Sequence, residues 1–391
     1  MRGLDTSRLF TQDHARHRIG PERGAALQVH VIGQIIDPLE LVERAVFRHV
    51  DGLGYRVVDE RLQCGLYGEM GFDREVGGRD EAVRGRGRGS GRGAPQLKRI
   101  VGQQELFRRP IFGKHIAHVA MWLMNGMSSI AGGNLGVVPT SWSIVGQRDF
   151  NGDGNSDILW RNTSGATAIW LMNGTSSITG GGSIGTVPTS WSIVGTGDFN
   201  GDGKGDILWR DTSGNTAIWF MNGTSSTGGG SIGTVPTSWS IVGTGDFNGD
   251  GMSDILWRDT SGNTAIWLMN GISTIGGGSI GTVPTSWSII GTGDFNGDGM
   301  SDILWRDTSG NLAVWFMNGI RNLGGAFLGS VPTSWSVAET GDFNHDGKSD
   351  ILWRDTSGNT AVWFMDGASS TAGGSLGTVS TDWTIQGLNA D

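Results

Sequence analysis

The chain of 391 residues is long enough for two or three domains, and its charge divides it. Residues 1–115 carry +5 (20 Lys and Arg against 15 Asp and Glu), whereas residues 116–391 carry −14 (9 against 23). The acidic part argues against nucleic acid as a partner, because phosphate binding needs clustered Lys and Arg. The single Cys rules out an internal disulfide, and no apolar run reaches the roughly 18 residues of a membrane helix.

Residues 1–115 form an N-terminal extension with few structural signals. Ala26–Arg48 has helix-like apolar spacing. Val83–Arg92 is an Arg- and Gly-rich run, which is typical of a flexible linker, with RNA binding as the alternative. The first residues lack the apolar stretch of a secretory signal. We expect residues 1–115 to be mostly disordered or poorly packed, and the folded part to span residues 116–391.

The second part of the chain is a tandem repeat. The segment DFNGDG begins at residues 149, 198, 246 and 294, and as DFNHDG at 342, so the spacing is 49, 48, 48 and 48 residues. Around it the unit reads SWSIVGTGDFNGDGxSDILWRDTSGNTAIWxMNG, followed by a Gly- and Ser-rich stretch and SIGTVPT. A period of this length is typical of a propeller blade.

Each unit is predicted to contain four short strands separated by turn residues. In the second full copy these strands are about Ser190–Gly195, Asp206–Arg210, Thr216–Asn222 and Ser231–Val235. Side chains alternate along a strand, so Ile207 and Trp209 share one face while Leu208 takes the other. Because both faces are apolar, the sheet must be covered on both sides. This favours an all-β fold of radially stacked four-stranded blades, a β-propeller.

The Trp residues are expected to pack between blades, with an exposed row that stacks on sugars as the alternative. The Trp of the first strand and that of the third strand each occur six times, whereas the acidic loop and the second strand occur five times. We therefore expect six blades, with seven as the alternative. The ring would close by pairing Asp382–Gln386 with the N-terminal half-unit, in which Pro110–Lys114 would replace the missing second strand.

The acidic loop has the pattern D-x-N-x-D-G-x-x-D, with side-chain oxygens at positions 1, 3, 5 and 9. This spacing, with a backbone carbonyl at position 7, suits Ca²⁺, which takes about six to eight oxygen ligands. Gly at position 6 permits the sharp turn. Zn²⁺ would require Cys or His, and Mg²⁺ a tighter octahedron. The alternative is a plain hairpin turn, which leaves three crowded carboxylates without a counter-charge.

We predict about five Ca²⁺ sites. The proposed ligands are Asp149, Asn151, Asp153 and Asp157; Asp198, Asn200, Asp202 and Asp206; Asp246, Asn248, Asp250 and Asp254; Asp294, Asn296, Asp298 and Asp302; and Asp342, Asn344, Asp346 and Asp350.

These repeats resemble the FG-GAP/VCBS family, whose units build the propeller head of integrin α-subunits and many bacterial surface and secreted proteins. The resemblance rests on GDFNGDGxSDILW and extends over most of residues 116–391. It implies a propeller, calcium in the acidic loops, and a role in adhesion, glycan binding or matrix interaction. The Phe-Gly…Gly-Ala-Pro signature of the integrin version is missing, so the chain is closer to the bacterial variant.

Three functional hypotheses follow: a calcium-stabilised module that binds glycans or proteins, a calcium-dependent glycan-active enzyme, and a purely structural spacer. The five loop-containing units have no Cys, a single His and no Lys placed beside a nucleophile, and their loop Asp residues are assigned to metal, so candidates for general acid–base and covalent catalysis are lacking. Arg321, Glu339 and His345 alone break the repeat with polar side chains. We expect a monomeric, non-enzymatic, extracellular or cell-surface binding module with no catalytic residues and no cofactor besides calcium.

Overall fold

A computed structural model describes residues 47–50, 54–57, 103–110, 115–174 and 178–386. The chain divides into two compact units, Met1–Gly91 and Arg92–Asp391. In the first unit, β1 (Phe47–Val50) and β2 (Gly54–Val57) form an antiparallel hairpin. The helix expected over Ala26–Arg48 lies mostly outside the described residues, and its last two residues belong to β1. The Arg- and Gly-rich run also lies outside them.

The second unit is a six-bladed β-propeller of four-stranded antiparallel sheets, as the sequence predicted. Its strands are β3 (Gln103–Pro110), β4 (Ile116–Asn125), β5 (Ser128–Pro139), β6 (Trp142–Arg148), β7 (Asp157–Asn162), β8 (Ala166–Met172), β9 (Ile178–Thr186), β10 (Trp191–Gly197), β11 (Asp206–Asp211), β12 (Asn215–Asn222), β13 (Ser225–Thr234), β14 (Trp239–Gly245), β15 (Asp254–Asp259), β16 (Asn263–Asn270), β17 (Ser273–Thr282), β18 (Trp287–Gly293), β19 (Asp302–Asp307), β20 (Asn311–Asn318), β21 (Arg321–Ser330), β22 (Trp335–Gly341), β23 (Asp350–Asp355), β24 (Asn359–Asp366), β25 (Ser369–Thr378) and β26 (Thr384–Ile385).

Blade 1 has the strand order β26-β3-β4-β5, and blades 2 to 6 are the successive sets β6–β9, β10–β13, β14–β17, β18–β21 and β22–β25. The described residues contain no helix, and therefore none that could cross a membrane.

Blade 1 closes the ring by joining the two ends of the repeat region. Strand β26 pairs with β3, as Thr384 lies opposite Arg108, and the Gln386 amide donates to the Leu106 carbonyl at 2.8 Å. This confirms the expected closure but corrects its second strand, which is β3 and not Pro110–Lys114. The fully buried Leu106 anchors β3 in the core. The propeller thus includes residues that the sequence analysis assigned to the N-terminal extension.

The core lies between neighbouring blades, because each sheet is apolar on both faces. In blade 3, Ile207, Leu208 and Trp209 are each at most 1% exposed. Leu208 packs with Ile255 and Trp257 of blade 4 in one cluster, and Trp209 packs with residues of blade 2 in another. The Trp residues therefore pack between blades, as expected.

The outermost strand differs from its prediction. The Gly- and Ser-rich run expected to be a break lies within the strand, so β13 begins at Ser225, six residues before Ser231. This strand is almost fully exposed and approaches β12 closely. At Gly229 the φ angle is +116°, and a Cβ would lie 2.1 Å from the Ile218 carbonyl oxygen. Glycine is therefore needed inside this strand to allow the close approach.

An arginine at the end of the second strand connects each blade to the next. The Arg210 guanidinium donates to the carbonyls of Val235, Pro236 and Trp239, on the connection into blade 4 and the first residue of that blade. Its Cζ also lies 5.1 Å from the Trp257 ring centroid, a cation–π distance. Arg258 and Arg306 repeat all of these contacts.

A row of hydrogen-bonded threonines, which we call the threonine row, links the innermost strands of blades 3 to 6. The Thr244 hydroxyl donates to the Thr196 carbonyl at 2.8 Å, Thr292 to Thr244 at 2.9 Å, and Thr340 to Thr292 at 2.8 Å. These side chains are buried, and buried hydroxyls need such partners. The inner strands of four blades are therefore connected by side-chain hydrogen bonds.

The arginine contacts predict that Arg210→Lys destabilises the propeller although it keeps the charge. Lysine cannot present the planar fork that reaches several carbonyls at once. We expect a loss of about 1–2 kcal/mol in the free energy of unfolding, measured by urea denaturation. The matched control is Arg321→Lys on the exposed strand β21, with an expected change within about 0.5 kcal/mol. Equal stability of the two variants would contradict a role for the Arg210 fork.

Candidate functional site

The five acidic loops join the first and second strands of blades 2 to 6, at one end of the propeller that we call the acidic face. They comprise residues 149–157, 198–206, 246–254, 294–302 and 342–350. Adjacent loops are in direct contact. The amide at position 8 donates to the position 1 carbonyl of the preceding loop, as from Ser253 to Asp198 at 2.7 Å and from Ser301 to Asp246 at 2.6 Å. The loops therefore form a connected arc and not isolated turns.

Backbone amides hold the side chains at positions 1 to 5. In blade 3, Asp198 accepts from the amides of Gly201 at 2.8 Å, Asp202 at 3.1 Å and Gly203 at 2.7 Å. The Asn200 side-chain oxygen accepts from the Asp202 amide at 2.9 Å. Gly203, at position 6, has a φ of +78°, which confirms the sharp turn expected there. The loop is thus folded tightly around its own first carboxylate.

The carboxylate at position 9 is buried and anchors the loop to the blade. Asp206 is 0% exposed and accepts from the Phe199 amide at 3.0 Å and from the Met221 amide, on β12, at 2.9 Å. The pKa of Asp206 is raised to about 7, mainly by burial; the negative charges of Asp198 and Asp202 also raise it, and the two amide hydrogen bonds oppose the rise. Asp157, Asp254, Asp302 and Asp350 make the same pair of contacts at 2.8–3.1 Å.

This anchoring role was missed by sequence reasoning, which treated position 9 only as a metal ligand. The available signal was its place as the first residue of a buried strand, directly before Ile-Leu-Trp. An isolated carboxylate there would be costly, so backbone donors or a cation must compensate it.

The proposed ligand atoms of the loops are of the kind that a hard cation prefers. Every proposed ligand atom is a carboxylate or amide oxygen, the set preferred by calcium. The described residues hold no group of three or more His, Cys, Asp or Glu side chains arranged to bind a metal. The hydrogen bonds explain this, since the three carboxylates of each loop accept backbone amides. In blade 3, Asp198 and Asn200 both accept from the Asp202 amide, which keeps positions 1, 3 and 5 within one turn, and Asp206 at position 9 begins the second strand.

The side chain at position 7 differs between loops and packs on the preceding one. Met252 lies against Gly201 and Met300 against Gly249, whereas Lys204 and Lys348 occupy the same place over Gly152 and Gly297. The Lys204 ammonium lies 3.5 Å from Asp202, and that of Lys348 lies 2.5 Å from Asp366. The hydrogen bond with Asp366, together with the negative charge of Asp346 and Asp294, raises the pKa of Lys348. The local charge is therefore not the same in all five loops.

The three repeat-breaking polar residues lie on different elements. Arg321 is exposed at the start of β21, and His345 is exposed within the last acidic loop, where it keeps the left-handed backbone of the glycine it replaces (φ 63°). Glu339 is only 3% exposed on β22, at the position of Gly291 in the preceding blade. They do not form one cluster.

The comparisons with known proteins agree with this geometry. The family model for the FG-GAP-like repeat matches residues 149–209, 198–257, 246–305 and 294–353. Each match begins at the first Asp of one loop and ends in the second strand of the next blade, and together they span more than half of the chain. The chain belongs to the FG-GAP-like repeat family. No curated protein matches it.

Among solved structures, this FG-GAP-like propeller is similar to the C-terminal WD40 domain of Sif2, at 13% identity and a TM-score of 0.37, over 66% of this chain and 77% of that one. It is also similar to Raptor from Chaetomium thermophilum, at 11% identity and a TM-score of 0.41, over 67% of this chain and 24% of that one. Likenesses at this level identify neither a ligand nor an activity.

The anchoring contacts predict that Asp206→Asn lowers stability even in excess chelator. An Asn side chain has one acceptor oxygen, so one of the two buried amides faces an NH₂ group and loses its partner. We expect a loss of about 1–3 kcal/mol, measured by urea denaturation in EGTA.

The control is Asp202→Asn at exposed position 5 of the same loop, for which we expect less than about 1 kcal/mol in EGTA. If the two variants were equally stable in EGTA, position 9 would have no anchoring role separate from metal binding.

Proposed function

We propose that this protein is a calcium-stabilised module that binds glycans or proteins outside the cell or at the cell surface. The observation that carries the proposal is the arc of five connected acidic loops on one face of a closed six-bladed ring. In every loop the proposed ligand atoms are oxygens. The fold commonly serves as a binding module for proteins. The family resemblance supports adhesion or glycan binding as the role of such a ring.

Electrostatics supports calcium in the loops. Burial is the main cause of the raised pKa of Asp254, at position 9, and the negative charges of Asp250 and Asp246, at positions 5 and 1, add to it. Like charges at such distances repel each other unless a cation lies among them. Residues 116–391 carry −14, and only Lys204 and Lys348 offer side-chain cations within the loops. A divalent cation would supply the missing positive charge.

Binding without catalysis is supported by the way the acidic side chains are used. Each loop carboxylate accepts backbone amides, so the residues that could act as acid or base already have structural partners. The ring also closes within one chain, through the pairing of β26 with β3, which supports a monomer. Calcium sites in extracellular modules bind at about 10⁻⁴–10⁻³ M, a range that suits the calcium-rich exterior of the cell.

The calcium assignment predicts a higher melting temperature in calcium than in EGTA. A ligand that binds only the folded state stabilises it by RT ln(1 + [L]/Kd), which is about 2.7 kcal/mol per site at 100 times the Kd. We expect isothermal titration calorimetry to give about five sites, and Asp250→Asn to remove one of them.

The matched control is Asp366→Asn, which introduces the residue found at this position in the other blades and changes a carboxylate outside the loop pattern. We expect it to leave the number of sites unchanged. Identical melting curves in calcium and EGTA would refute the calcium assignment.

The binding role is tested on arrays of glycans and matrix proteins, with and without EGTA. If the protein binds to neither array, the result would favour the structural spacer.

A further inference from the structure

The end of the propeller opposite the acidic loops carries a second repeated feature. Here the second strand of blades 2 to 6 ends, an Asp-Thr-Ser-Gly turn follows (Asn-Thr-Ser-Gly in blade 2), and the fourth strand connects to the next blade through Val-Pro-Thr-Ser, or through Val-Ser-Thr-Asp after blade 6. We call this end the turn face. The metal proposal makes no use of its residues.

A groove of about 260 Å³ lies on the turn face between the inner strand of blade 4 and the connection to blade 5. Its polar lining consists of Ser238, Ser240, Arg258, Asp259, Thr260 and Thr285. The four hydroxyl-bearing side chains are exposed. The volume lies just below the roughly 300–1,000 Å³ of pockets for drug-sized ligands, which suits one or two sugar rings.

The charged groups of the groove are held by the protein itself. The Arg258 guanidinium donates to the carbonyls of Val283 and Pro284, both at 3.1 Å, and so fixes the connection that carries Thr285. The Asp259 carboxylate accepts from the Asn263 amide at 2.8 Å and from its side-chain nitrogen at 2.7 Å. What remains for a ligand is a rigid frame with exposed hydroxyls.

The same frame recurs around the turn face. Exposed Ser and Thr occur at the equivalent positions of blades 2, 3, 5 and 6, beside an Arg and an Asp, or Asn162 in blade 2. The connecting threonines are Thr189, Thr237, Thr285, Thr333 and Thr381, and all five are exposed. One ligand unit could thus be bound up to five times around the ring.

The chemistry of the frame selects its ligand. Hydroxyls both donate and accept hydrogen bonds, so they suit a ligand whose own groups do both. The charge of −14 on residues 116–391 disfavours anions, and the engaged Arg258 and Asp259 offer no free charge pair. Most of the exposed lining is apolar and comes from Val242 and the carbon atoms of the other side chains. Neutral saccharides combine hydroxyls with apolar C–H faces.

We propose that the groove of blade 4 and the equivalent positions of blades 2, 3, 5 and 6, together called the five grooves, bind neutral saccharide units. This inference rests on the proposed binding function and names its ligand class and location. One groove contacts few ligand atoms, so we expect a single sugar to bind with a Kd of about 1 mM. A polymer that spans several grooves should bind about 100-fold more tightly or better through effective concentration.

The experiment is methyl NMR of the full chain, labelled at Thr and Val, in calcium and with about 20 mM of a neutral monosaccharide, chosen well above the expected Kd. The probes are glucose, galactose, mannose and N-acetylglucosamine. We expect at least one of these sugars to shift the methyl signals of the five connecting threonines. The methyl signals of Thr244 and Thr292, in the buried threonine row, should stay unchanged. Ser240→Ala combined with Thr285→Val should abolish the shift at Val242 and leave the other four grooves responsive.

The matched control is Ser226→Ala combined with Thr227→Val on the exposed outer strand of blade 3, which should leave all shifts as in the wild type. Absence of shifts with all four sugars, or shifts confined to the acidic face, would overturn the inference. Melting the same sample in calcium and EGTA separates the two proposals. If calcium raises the melting temperature but no sugar shifts the connecting threonines, only the sugar proposal is refuted. If sugars shift these threonines but calcium leaves the melting temperature unchanged, only the calcium proposal is refuted.

Discussion

The propeller depends on burial of sheets that are apolar on both faces. A strand such as Asp-Ile-Leu-Trp-Arg-Asp places Ile207 and Trp209 toward one neighbour and Leu208 toward the other, so no blade can bury its core alone. Each fully buried large apolar side chain contributes about 1.5–3 kcal/mol. Such a sheet is stable only between two others. Closure of the ring buries the apolar faces that the first and last blades would otherwise expose. Blade 1 meets this need with strands from both ends of the repeat region.

Polar contacts then fix how consecutive blades are placed. On the turn face, Arg210 holds the connection to the next blade, and near the axis Thr244 bonds to Thr196. On the acidic face, the Gly271 amide donates to the Phe199 carbonyl of the preceding blade at 2.8 Å. Apolar packing alone is non-directional, whereas these hydrogen bonds form only when neighbouring blades have one relative angle and one relative height. The two faces are therefore rigid surfaces on which side chains recur at regular intervals.

The two faces offer different chemistry on the same scaffold. The acidic face gathers carboxylates whose backbone partners hold them in tight loops, and it suits a cation. The turn face gathers hydroxyls around charged groups that already have partners, and it suits a neutral polar ligand. Small departures from the repeat, such as Lys348 with Asp366 or the buried Glu339, make individual blades unequal. Repetition places the same side chains at regular intervals, and these departures distinguish one blade from another.

The period, the four strands, the six blades and the positions of the loops could all be predicted from the sequence, because apolar alternation and turn residues are local signals. Sequence reasoning misplaced two features that depend on distant segments. The sequence analysis placed the closing strand at Pro110–Lys114, whereas the structure places it at Gln103–Pro110, since pairing with Thr384 and Ile385 is not encoded nearby. The Gly- and Ser-rich run was taken for a break, because its strand forms only where glycine lets it approach β12. Tertiary structure also decided the role of Asp206, whose two amide partners come from Phe199 and from Met221, fifteen residues further along the chain. The Ser240–Thr285 groove exists only because one blade is packed against the connection to the next.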